Sequence, residues 1–294
     1  MTLILAEASL DDGFIVADTL LTVVPSKYNT GPFNGKYHAL KVHILSEKLC
    51  IALAGNYELG LNIINQAYKY ISNNKVVNNT IFDVIFSLYE EECKKQSQAL
   101  HECEFLGMLI SSDGNKLKKV AFDGARECKK AYIGNQEAYK QLQSARVPGE
   151  YAGHQSIQQP DGTYITIPFA PTELEKNFVE ITEAMTIIPL REKELSVGVL
   201  GDAVTRVRVN RFGKFEYMQQ VQAGSTPYEG NIGISMLTSS YPNYGIGIFY
   251  RAGFGYCWIA GDTEYCRSIN ANTIQDFIQK ASEEYNLNLV GGTW

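Results

Sequence analysis

The chain has 294 residues, 45% hydrophobic and 20% charged, with a formal net charge of -6 at pH 7. That composition supports a packed core and offers no basic surface for non-specific nucleic-acid binding. No apolar run reaches the roughly 18 residues of a membrane span, and Glu7, Asp11 and Asp12 interrupt any signal-like apolar segment, so a cytoplasmic protein away from membranes is expected. Six cysteines form no CxxC pair, and four scattered histidines form no HExxH-like pattern. Reduced thiols, no metal and no cofactor are therefore expected.

In chain order, "TLILAEAS" and "GFIVADT" are short β-rich runs joined by "LDDG", which predicts a hairpin. Residues 23–40 are rich in Gly, Pro, Asn and Ser and read as a long loop. "KVHILS" and "LCIALAG" predict a second hairpin. Helical spacing of apolar residues predicts helices over 56–74 and 80–98. Three strands follow, "EFLGMLISS", "KLKKVAFD" and "KKAYIG", then a helix over 136–144. Residues 147–170 read as a hairpin-like insertion turning at Pro160-Asp161-Gly162. A helix over 172–188, closed by Pro189, comes next. "AVTRVRVN" and "KFEYMQQVQ" predict another hairpin. Strands at 231–239, 244–251 and 254–260 and a helix at 272–286 complete the chain. Blocks of antiparallel strands separated by helices predict an α+β fold: a four-layer αββα sandwich over 1–221, with a β-rich extension over 222–294.

Thr2 stands directly behind Met1, and Asp18 follows sixteen residues later. "KVHILSEKLCIALAG" runs from Lys41 to Gly55, and "ADTLLT" runs from an aspartate to Thr22. These residues, at these spacings, resemble the proteasome β-subunits and their bacterial relatives among the N-terminal nucleophile hydrolases. The family has an N-terminal threonine, an aspartate sixteen residues on, a lysine opening the third strand and a glycine ending the fourth. The resemblance covers roughly residues 2–220. Thr19-Leu20 stands where the family has Ser-Arg, and Gly134-Asn135-Gln136 replaces Gly-Ser-Gly. No carboxylate stands near Val197, where the family has a second aspartate; Glu194 and Asp202 are the nearest.

The resemblance implies a chemistry. Thr2 would be the nucleophile, with its own free α-amine as base once Met1 is removed. Lys41 would supply a charge that favours the alkoxide, held by Asp18. Gly55 would donate its N–H to the oxyanion. Asn135 and Thr22 would support the cluster, and Leu21, His43 and Leu53 would line an apolar substrate pocket. The implied activity is cleavage of peptide or other small amide bonds by a homo-oligomer, with an ATP-dependent unfoldase as a possible partner. Two alternatives remain open: a catalytically inactive structural or regulatory subunit, and a small-molecule amidohydrolase whose pocket is closed by the insertion and the C-terminal region.

Overall fold

The first hairpin forms where alternation and turn chemistry place it. In the computed structural model, β1 (Leu3–Ala8) pairs with β2 (Gly13–Asp18), with Leu5 opposite Val16. The structure describes residues 2–21, 37–74, 77–96, 103–149, 153–158, 163–169, 171–191, 204–226, 230–240, 242–250, 252–262 and 266–291. Of the loop expected over 23–40, residues 23–36 lie outside the described residues, and β4 (Tyr37–His38) pairs with β3 (Leu20–Leu21). Next come β5 (Val42–Ser46) and β6 (Leu49–Gly55), then α1 (Tyr57–Asn74) and α2 (Ile81–Gln96). Four strands follow where three were expected: β7 (Cys103–Ser111), β8 (Gly114–Ala121), β9 (Gly124–Cys128) and β10 (Lys130–Gly134). The extra strand is "GAREC", which turns back on β8 through Gly124 at φ +112°.

After α3 (Gln136–Ala145), the insertion forms the hairpin β11 (Gly153–Gln158) and β12 (Tyr164–Phe169). Helix α4 (Glu173–Arg191) continues past Pro189. β13 (Val204–Val209) pairs with β14 (Phe215–Tyr217). The chain then leaves that sheet, and β15 (Gln220–Thr226) begins another with β16 (Gly230–Ser239), β17 (Gly245–Tyr250), β18 (Phe254–Ile259) and β19 (Arg267–Asn270). Helix α5 (Ile274–Tyr285) follows, capped by the Thr273 side chain on the Asp276 N–H.

The expected αββα sandwich is not what forms. Three five-stranded antiparallel sheets hold fifteen of the strands: β10-β1-β2-β13-β14, β5-β6-β7-β8-β9 and β15-β16-β17-β18-β19. The reason lies in what the C-terminal strands bury. Met236, Ile246, Ile248, Tyr250 and Trp258 of the third sheet join Ile4, Ile15 and Val207 of the first and Val42, Ala52 and Met108 of the second in one continuous core. The last sheet is thus a third wall of the core, not an appendage to a two-sheet stack.

Each sheet turns its other face to helices. Leu53, Phe105 and Leu109 of the second sheet pack with Ile63 of α1 and Phe82 of α2. Leu3, Leu5 and Phe14 of the first meet α3 and α4 through Leu142, Phe178 and Ile181. Leu237 and Phe249 of the third lie under Phe277 of α5. The walls are stitched by Tyr217, whose hydroxyl donates to the Val42 carbonyl at 2.8 Å and accepts the Ile44 N–H at 3.1 Å. Those groups lie on β5, an edge strand of the second sheet, so β14 satisfies an edge that would otherwise be open. Among the described residues, no helix is long and apolar enough to cross a membrane.

Candidate active site

Hairpin geometry brings both ends of β1–β2 together. Asp18 closes β2 beside the start of β1, and its Oδ1 accepts the Leu3 N–H at 2.7 Å. Its Oδ2 accepts from Lys41 Nζ at 2.6 Å, and Nζ also donates to the Leu20 carbonyl at 2.5 Å. Lys41 comes from the second sheet, where its carbonyl accepts the Leu53 N–H at 3.0 Å. One carboxylate therefore ties the residue after Thr2 to a lysine that lies 23 positions beyond Asp18 in sequence.

This ion pair is buried, with the two side chains 0% and 2% exposed. Burial pulls the Lys41 pKa below the ordinary lysine value, while the neighbouring Asp18 charge pulls the other way. Taking both ions out of water costs more than a surface pair would, so such pairs are poor devices for stability alone. A buried, perturbed lysine at the edge of a sheet is a reason to look for chemistry beside it.

Thr2 lies half-buried at the head of β1. Its carbonyl accepts the Asn135 N–H at 2.7 Å. Gly134, at φ +99°, passes so close that a Cβ there would overlap the Thr2 carbonyl oxygen. Asn135 thus meets Thr2 through its backbone, while its side-chain oxygen caps α3 by accepting the Ala138 N–H at 2.8 Å. In the resemblance Gly134 stands as the retained first glycine of the Gly-Ser-Gly segment, with no role given to it, although its position at a strand end was a usable signal. Gly134→Ala is expected to cost about 3 kcal/mol in denaturant unfolding, because left-handed strain and the backbone overlap add.

The structure brings the Asp18 and Lys41 side chains together beside the start of β1, where Thr2 and Asn135 meet through their backbones alone. Among the described residues, Lys41 makes no hydrogen bond to the Thr2 hydroxyl. Gly55 ends β6 exposed, at φ +102°. Leu21 and Leu53 are core residues, 8% and 1% exposed, in the cluster between the second sheet and its helices. Thr22, Met1, Glu194, Val197 and Asp202 lie outside the described residues. None of the six cysteines is in a disulfide, and no group of three or more metal-binding side chains gathers among the described residues.

His43 shares the Lys41 face of its strand, two residues on. It is 1% exposed, and its Nδ1 accepts the Gly261 N–H of the third sheet at 3.3 Å, which places its proton on Nε2. Burial pushes its pKa down to about 4, with the Leu40 backbone opposing. The sign follows directly. Between pH 6.5 and 4 the unfolded chain binds a proton that the folded one refuses, so stability is full above about 6.5 and falls as pH drops towards 4. The expected loss over that window is about 3 kcal/mol. Urea titrations at stepped pH on the wild type and on His43→Gln test it; equal slopes would refute the assignment to His43.

No family model matches this chain, and neither does any curated protein. The functional reading therefore rests on these residues and their geometry.

Proposed function

We propose that the protein is an N-terminal threonine hydrolase of the proteasome type, cleaving peptide or other small amide bonds once Thr2 carries a free amine. The observation that carries this reading is the Asp18 carboxylate, which holds Leu3 N–H on one oxygen and Lys41 Nζ on the other. It fixes a buried cation and the strand that presents Thr2 in one hydrogen-bonded unit.

The Thr2 amine takes the hydroxyl proton as Oγ1 attacks the amide carbon. The Lys41 ammonium favours the developing alkoxide, and the exposed Gly55 N–H serves the oxyanion. The amine returns its proton to the leaving nitrogen as the C–N bond breaks, leaving an acyl ester on Thr2. Water, deprotonated by the same amine, then attacks the ester carbon; the C–Oγ1 bond breaks, the amine returns the proton to Oγ1, and the acid leaves.

The test is a covalent probe that needs both hydroxyl and free amine, such as an epoxyketone. Intact-mass spectrometry should show its addition at Thr2 in the processed protein alone. Processed protein that reacts with no such probe and cleaves no peptide library would sink the reading. The rival is a non-catalytic structural or regulatory subunit. It is favoured by one observation: Lys41 spends donors on Asp18 and the Leu20 carbonyl and none on the Thr2 hydroxyl. A cytoplasmic homo-oligomer belongs to either reading, and a single-chain mass in light scattering would remove it.

A further inference from the structure

A cavity of about 1140 Å³ opens at the seam between the third sheet and α1. It is just above the roughly 300–1,000 Å³ of small-molecule sites. Its walls come from the β5–β6 turn, α1, the end of β18 and the end of α5. Its nearest wall residue on that strand is Ile44, next after His43, so it begins about 10 Å along the strand from Lys41 at about 3.3 Å per residue. Thr2 and Lys41 are not part of its wall.

Helix α1 presents Asn65, Tyr68, Lys69 and Ser72 to this space, at the i, i+3, i+4, i+7 spacing of one helical face. Asn65 is 7% exposed yet has no hydrogen-bond partner among the described residues. Its amide faces the cavity and is open to a partner there. Its donor and acceptor lie side by side, the complement of a peptide group.

The charges on the wall are sorted. Glu47 and Asp262 are already paired, with Lys214 and Arg267. That leaves Lys48 and Lys69, without ion pairs among the described residues, on the β5–β6 turn and α1. Glu283 and Glu284, without ion pairs among the described residues, line the α5 side, Glu283 accepting from Gln279 Nε2 at 2.8 Å. The rings of Tyr68, Tyr244 and Tyr285 give the space apolar surface.

We infer that this seam is a binding site for short peptides with both termini free. Asn65 pairs with a peptide group, Lys48 and Lys69 take the carboxylate, Glu283 and Glu284 take the ammonium, and the tyrosines pack on the side chains. The site does not depend on the proposed chemistry of Thr2.

Calorimetry on the full chain carrying Thr2→Ala tests it, so that hydrolysis plays no part and failure here leaves the hydrolase reading untouched. The probes are Ala-Phe-Ala with free termini, its N-acetyl form and its C-amide. Each block should weaken binding about threefold, the scale of an exposed ion pair. Lys48→Glu with Lys69→Glu should abolish the penalty for the C-amide, and Glu284→Lys should abolish most of that for the N-acetyl form. Asn65→Leu should weaken all three about tenfold. These charge variants are exposed, so they keep the test valid if Asn65→Leu fails to fold. No heat at millimolar peptide, equal affinities for the three probes, or affinities unchanged by the charge variants would each overturn the proposal.

Discussion

Thr2→Ala, in a chain whose first residue has been removed, is expected to lower amide hydrolysis by at least about 10⁴-fold, the scale seen when an activated hydroxyl nucleophile is deleted. Its melting temperature should stay within about 2 °C of the parent. The reason for the second expectation is local. The contacts that hold Thr2 are those of its backbone: the Asn135 N–H on its carbonyl and the Asp18 carboxylate on the next N–H. Alanine keeps both and loses a hydroxyl with no hydrogen bond among the described residues. Steady-state hydrolysis of a peptide library, alongside calorimetric melting, reads both quantities. Hydrolysis by the alanine variant at the parent rate would move the chemistry to another residue.

Lys41→Met is expected to remove activity and also about 3–5 kcal/mol of stability. Asp18 is 0% exposed, and without Lys41 it keeps only the Leu3 N–H as a partner among those described. A buried carboxylate left with a single neutral donor is the costly case. Asp18→Asn combined with Lys41→Met removes both charges while leaving an oxygen for Leu3 N–H. This double variant should regain most of the lost stability and none of the activity. That split separates a charge used in chemistry from a charge used in folding. A double variant as active as the parent would show that the ion pair serves structure alone.

Local patterns in the sequence were legible and the assembly of layers was not. The "LDDG" hairpin and the helices expected at 56–74 and 136–144 stand within a residue or two of their places, because turn chemistry and apolar period act over short distances. "KFEYMQQVQ" was read as one strand, yet Phe215–Tyr217 and Gln220–Thr226 belong to different sheets. Nothing in the local pattern marks that crossing, since both halves are good strand. The third sheet also disguises its packing. Its glycines, Gly247 and Gly255, leave room for Phe277 of α5 to lie directly on the strands, so the partner of that face stands elsewhere in the sequence.

At the site, fixed spacing led to Asp18 and Lys41, whose side chains meet directly. Leu21 and Leu53 are different. They were placed at a pocket by resemblance, but the helices of the second sheet cover them as core. Burial of an apolar side chain by another element leaves no trace at its own position in the sequence. Asn135 illustrates the same limit from the other side, since its contact with Thr2 uses a backbone group that any residue there would supply.

The bond between His43 and Gly261 spans 218 positions. At a synthesis rate of about 5–20 residues per second, Gly261 emerges roughly 10–40 s after His43. By the end of that interval the first two sheets have all their strands, since β14 ends at Tyr217, while the wall that seals them is still being made. Ile4, Val42 and their neighbours face water on the side that Ile248 and Trp258 later close. The order of translation thus acts as a timer: the ring two residues from Lys41 is enclosed only once Gly261 has been made, and the nascent chain carries an unfinished apolar surface until then.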